Sequence, residues 1–209
     1  MNTKQTDARI KHATHEPARL GLFGGSFDPV HCAHLKIARC ALEQAQLDRV
    51  IFVPTAQSPL KLHKPLSEDT ERLRMLNLAL EGETDFEMNT YEIDRGGVNY
   101  SIDTVLYFQE LYGNSKLFLI IGGDQFEQLD RWHRVHELVR YVTFLIYPRP
   151  VATHLPFRSI ADIHCQLIEA PLMETGSTQI RKRCREGLSL EGEVPSTVEA
   201  FILEHGLYQ

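Results

Sequence analysis

Residues 21–38 read "GLFGGSFDPVHCAHLKIA". The stretch opens as an apolar, strand-like run. It closes with apolar residues at helical spacing, Leu35, Ile37 and Ala38, continued by Ala41 and Leu42. Between the two stand Gly24-Gly25, the pair Asp28-Pro29, and His31 and His34 on either side of Cys32 and Ala33. Glycines at such a junction let backbone N–H groups approach a ligand with no Cβ in the way. A helix beginning directly afterwards adds free N–H groups and the positive end of its dipole. The junction therefore reads as a phosphate site placed between a strand and a helix.

Outward from this stretch the pattern alternates. "RVIFVPT" (49–55) is a short β-branched run of the kind found in buried parallel strands. "TERLRMLNLAL" (70–80) reads as a helix, and "DFEMNTYEIDR" (85–95) alternates like a strand. "SIDTVLYFQELYG" (101–113) is a helix with Ser101 as its N-cap and Gly113 as its stop. "KLFLIIGG" (116–123) is a buried strand, "FEQLDRWHRVHELVR" (126–140) a helix, "YVTFLIYPRP" (141–150) a strand and "IHCQLIEA" (163–170) a shorter one. Helices follow at roughly 177–186 and 196–205, the second opening on the capping box Ser196-x-x-Glu199 after Pro195. Such alternation predicts an α/β fold: a doubly wound parallel sheet with helices on both faces. In that fold ligands bind beyond the carboxyl ends of the strands, at the switch point. Two strands here end in a glycine pair followed by an aspartate, Gly24-Gly25 with Asp28 and Gly122-Gly123 with Asp124.

The bulk properties set the frame. A chain of 209 residues, 43% hydrophobic and 24% charged, is long enough for one sizeable core. Residues 19–209 are expected to form a single domain, and residues 1–18 a loose polar extension. A net charge of −6 gives no general attraction to nucleic acid or anionic membranes, so neither is an expected partner. The N-terminal stretch lacks the apolar core of a signal peptide, and no apolar run reaches the roughly 18 residues of a membrane helix. Four scattered cysteines without a CxxC pair suit a reduced, cytoplasmic protein.

Neither the P-loop GxxxxGK(S/T) nor the dinucleotide GxGxxG is present. Histidine stands where a P-loop has lysine, and imidazoles can donate hydrogen bonds to phosphoryl oxygens. A zinc reading of His-Cys-x-His competes with this. Cys32 would point away from the histidine face, however, and no second His/Cys cluster lies nearby. No protein metal site is expected, and Cys32 reads as a packing residue.

"GGSFDPVHCAH" resembles the GG(T/S)FDPxHxGH signature of bacterial nicotinate-nucleotide adenylyltransferases, in the HxGH nucleotidyltransferase superfamily. "EIDRGGVNYSIDTVLYFQEL", "LIIGGDQFEQLDRWH", "GSTQIRKR" and "VPSTVEAFILEHGLY" resemble later segments of the same family, in order, from about residue 20 to the end. Two positions depart: Ala33 stands for the second glycine of HxGH, and Gly176 for the first serine of SSTxIR. The added methyl of Ala33 is expected to crowd the bound nucleotide.

The resemblance implies transfer of an adenylyl group from ATP to nicotinate mononucleotide, with Mg²⁺ carried in on ATP. His31, His34 and Arg181 would be catalytic. Gly24, Gly25, Ser26, Phe27, Gly122, Asp124, Ser177 and Thr178 would complete the ATP site, with Ser177, Thr178 and Arg181 on the β- and γ-phosphates. Asn99, Tyr100, Ser101, Asp124, Trp132 and His133 would hold the acceptor, Trp132 by stacking on its pyridinium ring. Arg149 and Lys61 are candidates for the acceptor phosphate, with His63-Lys64 taking the place of Lys61 if the segment carries a short insertion. Asp28 is expected to organise its loop by accepting backbone N–H bonds. Other acceptors (nicotinamide mononucleotide or phosphopantetheine), a non-catalytic nucleotide-binding role and a homo-oligomer remain open on the sequence.

Overall fold

The computed structural model describes residues 18–57, 66–147, 160–171 and 175–209. Six parallel strands form one sheet: β1 (Arg19–Gly25), β2 (Arg49–Pro54), β3 (Phe86–Met88), β4 (Lys116–Gly122), β5 (Val142–Tyr147) and β6 (Cys165–Leu167). Their spatial order is β3-β2-β1-β4-β5-β6. The chain winds outward from β1 in one direction, returns, and winds outward from β4 in the other. The switch point therefore lies between β1 and β4, whose carboxyl ends carry Gly24-Gly25 and Gly122.

Strand alternation divides the core into two layers. Phe23, Val50, Phe52, Phe118, Ile120 and Leu145 face one way, against Ala38 and Ala41 of α1 (Cys32–Gln44), Met75 and Leu76 of α2 (Asp69–Leu80), Ile180 of α7 (Ser177–Arg185) and Val198 of α8 (Ser196–Glu204). Leu20, Leu22, Ile51, Val53, Leu117, Leu119, Phe144 and Ile146 face the other way. They pack against Ile102, Val105 and Phe108 of α4 (Ser101–Leu111), Phe126 of α5 (Gly123–Phe126) and Leu138 of α6 (Val135–Leu138). This is the period-2 rule of a sheet covered on both faces. Gly21 belongs to the first layer, where a Cβ would come 2.7 Å from Leu47.

Several expected elements differ. The strand expected over 85–95 stops at Met88, and Tyr91–Arg95 is a short helix, α3. Asn89 Oδ1 accepts the Tyr91 N–H at 2.9 Å and turns the chain. The helix expected over 126–140 is broken into α5, a 3₁₀ turn at Leu129–Arg131 and α6. Trp132 is extended (ψ 140°) and Arg134 left-handed (φ 53°), its guanidinium bonded to Glu137 at 2.8 Å. Apolar residues at 126, 129, 135 and 138 are buried, but exposed His133 leaves the apolar stripe interrupted.

The caps shift by one residue. Tyr100 and Pro195 are the N-caps of α4 and α8, because their extended carbonyls accept the first helical N–H groups. Glu199 does not close a box with Ser196; its Oε1 accepts the Leu190 N–H at 3.0 Å. Helix α1 begins at Cys32, ahead of the apolar residues from Leu35 onward that announced it, with His31 as N-cap.

Candidate active site

His31 and His34 occupy the N-cap and N3 positions of α1. Sequence spacing alone would put them on one helical face, but His31 lies just outside the helix, in extended backbone (φ −145°, ψ 168°). The rings stack with centroids 3.6 Å apart, and the His31 N–H donates to His34 Nδ1 at 3.2 Å. A neutral imidazole accepting at Nδ1 carries its proton on Nε2. His34 is thereby held in the tautomer that can donate.

The loop before them is held from three directions. Arg72 Nη1 donates to the Ser26 carbonyl (2.6 Å), Arg181 Nη1 to the Asp28 carbonyl (2.6 Å), and Ser177 Oγ to the Pro29 carbonyl (3.0 Å). Arg181 also donates to Thr178 Oγ1 at 3.2 Å. The Asp28 carboxylate accepts the Leu66 N–H at 2.7 Å and the Ser67 N–H at 3.3 Å, the loop-organising role expected of it. The Asp28–Pro29 peptide is cis. Phe27 adopts a left-handed conformation (φ 46°) and is buried, its ring edge-on to His34 at 5.0 Å. A Cβ at Gly25 would come 3.0 Å from that ring, so a side chain there would oblige Phe27 to give way by a few tenths of an ångström. Gly24 is exposed, and a Cβ there would meet nothing within 4 Å.

Across the switch point, Gly122 N–H donates to Gln125 Oε1 at 3.2 Å. A methyl on Gly122 would run into the Asp124 carboxylate and sit 3.3 Å from the Tyr147 ring. The absence of a side chain at 122 is what lets Asp124 fold over the strand end.

The expected acceptor residues fall into two groups. Tyr100 and His133 meet, ring centroids 4.4 Å apart, although the breaks after α5 separate them in the chain. Half-buried Trp132 packs on the same core layer as Tyr100, and its Nε1 has no hydrogen-bond partner among the described residues. Asn99 turns inward: its Nδ2 donates to the carbonyls of Glu92 (3.1 Å), Gly97 (3.3 Å) and Gly96 (3.4 Å). It staples a loop whose two glycines are left-handed (φ 67° and 65°), so only the backbone there is available to a ligand. Ser101 opens α4 and is half-buried. Lys61, His63-Lys64 and Arg149 lie outside the described residues, as do residues 1–17 of the expected extension.

Two buried charges escaped the sequence reading. Arg72 is fully buried, its Nη2 paired with Asp69. The signal was present: residues 72, 75, 76 and 79 make one helical stripe, and Arg72 sits among Met75, Leu76 and Ala79. Glu92 is buried beneath the acceptor loop and accepts from Thr104 Oγ1 at 2.7 Å. Burial pushes its carboxyl above the ordinary range, against hydrogen bonds from Thr104 and Thr55 and the Arg95 charge, which pull it down. The native state thus binds the Glu92 proton more tightly than the unfolded chain. The associated stability is complete below the unfolded value and is lost as pH rises through the raised native one. Glu92→Gln removes that loss and keeps an acceptor for Thr104. Its melting temperature relative to the parent rises between about pH 4 and about pH 7, measured by calorimetry at both.

The two departures are small in structural terms. Gly176 is the N-cap of α7, where a glycine in place of serine costs only a few tenths of a kcal/mol. Ala33 is 5% exposed, so its methyl is covered by protein and does not present itself to a ligand as the sequence led us to expect. Ala33→Gly lowers stability by about 0.5–1 kcal/mol in denaturant titration and leaves the ATP constant unchanged. Cys32 is half-buried and its thiol is pushed up, first by burial and then by Glu193.

The cytidylyltransferase-like family model matches residues 22–183. A protein of Opitutus terrae named "Probable nicotinate-nucleotide adenylyltransferase" is 40% identical over 194 residues, covering 91% of this chain and 98% of its own. One of the same name from Geobacillus kaustophilus is 37% identical, covering 91% and 86%. Among solved structures, Plasmodium falciparum nicotinic acid mononucleotide adenylyltransferase complexed with NaAD superposes with a TM-score of 0.75 at 18% identity, covering 91% and 97%, a likeness of fold. With such relatives along nearly its whole length, the chain belongs to the nicotinate-nucleotide adenylyltransferases of the cytidylyltransferase-like family.

Proposed function

We propose that the protein joins ATP and nicotinate mononucleotide to give nicotinate adenine dinucleotide and pyrophosphate, a step of NAD synthesis. A 5′-phosphate oxygen of the acceptor attacks the α-phosphorus of ATP in line. The bond to the bridging oxygen breaks, and pyrophosphate leaves with the electron pair. No protein nucleophile takes part, so catalysis consists of positioning and charge stabilisation.

The observation that carries this reading is the stacked His31–His34 pair at the N-terminus of α1, next to the switch point. A donor on His34 Nε2 and the positive end of the α1 dipole can meet charge spreading over a transferring phosphoryl group; the Cys32 and His34 N–H groups of the first turn are already spent on the Glu193 and His31 carbonyls. Arg181 is partly engaged with Asp28, which fixes the guanidinium beside the loop. Its further role on the β- and γ-phosphates, with Ser177 and Thr178, is part of the proposal. On the acceptor side, Tyr100, His133 and Trp132 offer flat faces for a cationic pyridinium ring. Mg²⁺ would be bound by ATP oxygens and water; among the described residues no three His, Cys, Asp or Glu side chains could hold an ion together. Four free thiols suit a reducing cytosol, and no described helix is long and apolar enough to cross a membrane.

The test is pyrophosphate release from MgATP with nicotinate mononucleotide, nicotinamide mononucleotide and phosphopantetheine in parallel. The highest kcat/KM is expected for the nicotinate substrate. Preference for either alternative, or no release with any, overturns the reading.

A further inference from the structure

The C-terminal turn reaches back to the loop of the first strand. Tyr208 Oη donates to Asp28 Oδ1 at 2.7 Å, across 180 positions of sequence. Leu207 beside it is buried and anchors the turn. Tyr208 itself is left-handed (φ 65°), a conformation that costs a non-glycine residue about 1 kcal/mol or more. Such strain at the penultimate residue persists only where other contacts over-determine it. Here they are the Leu207 anchor and the hydroxyl on Asp28. Burial, with the Asp28 carboxylate alongside, pushes the phenol well above its ordinary value, so it stays a donor at every working pH.

On the other side of the contact, Asp28 follows Phe27, the second strained residue of this pair (φ 46°), whose ring abuts His34. Among the described residues the Asp28 carboxylate has three donors, Leu66 N–H, Ser67 N–H and Tyr208 Oη. The phenol is the only side-chain hydroxyl among these and the only donor from the chain terminus. We propose that Tyr208 is a positioning residue for the ATP loop: its hydroxyl holds Asp28, and through Asp28 the left-handed Phe27 that backs His34. The inference rests on the loop binding ATP, as proposed above.

Tyr208→Phe keeps the buried ring and removes only the hydroxyl. Titration of the full-length chain with MgATP is expected to give a dissociation constant about tenfold weaker, the worth of one charge-assisted hydrogen bond. KM for nicotinate mononucleotide stays close to the parent, and the melting temperature falls by a few degrees. If Tyr208 acts through Asp28, the double variant with Asp28→Asn loses no more ATP affinity than Asp28→Asn alone. Thr197→Ala is the control: it cuts the Thr197 Oγ1 bond to the Leu78 carbonyl, which ties α8 to α2 away from the loop. It should leave ATP binding unmoved. An unchanged ATP constant in Tyr208→Phe, additive losses in the double variant, equal losses in Thr197→Ala, or a Tyr208→Phe chain that does not fold each overturns the proposal. A parent protein that releases no pyrophosphate sinks the assigned reaction instead. Parent turnover with an unmoved Tyr208→Phe sinks this inference alone.

Discussion

Replacing His34 with alanine lowers kcat by on the order of 10²-fold or more, the usual cost of one pre-aimed donor to a developing oxyanion. The effect is catalytic because the fold loses little. His34 is half-buried at the third position of α1, where it accepts the His31 N–H and its ring lies against His31, Phe27 and Phe23. Losing a capping bond of this kind costs about 1 kcal/mol, a few degrees of melting temperature in a chain of this size. Two variants separate the roles. His34→Asn can still accept the His31 N–H but cannot place a ring donor where Nε2 stands, so it recovers stability and not rate. A loss confined to the transition state lowers kcat and kcat/KM together, whereas lost ground-state binding raises KM alone. Steady-state kinetics of both variants, with calorimetry beside them, decides. A His34→Ala protein with parental kcat would remove the histidine pair from the mechanism.

The doubly wound parallel sheet was legible in the sequence because strand and helix patterns alternated, whereas the spatial order of the strands came from the structure. Each of the long strands β1, β2, β4 and β5 is a continuous apolar run, and each lies where both faces are covered. Legibility failed where one side chain redirects the chain locally. Asn89 turns a strand-like pattern into α3, and Arg134 in a left-handed conformation breaks what the spacing of Phe126, Leu129 and Leu138 suggests is a helix. Neither event leaves a trace in hydrophobic period. The site followed the same division. Residues proposed to present backbone or rings to a ligand, Gly24, Gly25, His31, His34, Tyr100 and His133, could be named from the sequence and its family resemblance. Supports such as Tyr208 and Glu92, which act by contacts across the chain, could not, and Asn99, though named, spends its side chain inside its own loop.

Arg72 is the largest of those hidden supports, and Arg72→Met is expected to lower stability by about 2 kcal/mol. The guanidinium is entirely buried, with Nη1 on the Ser26 carbonyl and Nη2 on Asp69. Methionine fills much of the same space and spares the cost of a buried cation, but it leaves the Ser26 carbonyl without its donor. The unmade bond outweighs the relief, because the half-buried Ser26 carbonyl loses a charged donor, worth about 1.5–3 kcal/mol. For a chain of this length the melting temperature falls by roughly 4–8 °C. Removing Asp69 is expected to matter as well. Asp69→Asn keeps an acceptor for Nη2 but takes away the counter-charge of a fully buried guanidinium, at a cost of about 2 kcal/mol that the exposure of Asp69 itself moderates. The functional consequence goes beyond stability. Ser26 lies between the glycine pair and strained Phe27, so a free Ser26 carbonyl loosens the segment that backs His34. In Arg72→Met, kcat/KM for ATP should therefore fall at temperatures well below the melting transition, while KM for nicotinate mononucleotide holds. Arg72→Lys restores the charge but not the fork that serves two acceptors at once, so it recovers part of the stability and little of the ATP constant. Parental ATP kinetics in Arg72→Met, with only the melting temperature lowered, would make Arg72 a core residue with no part in shaping the loop.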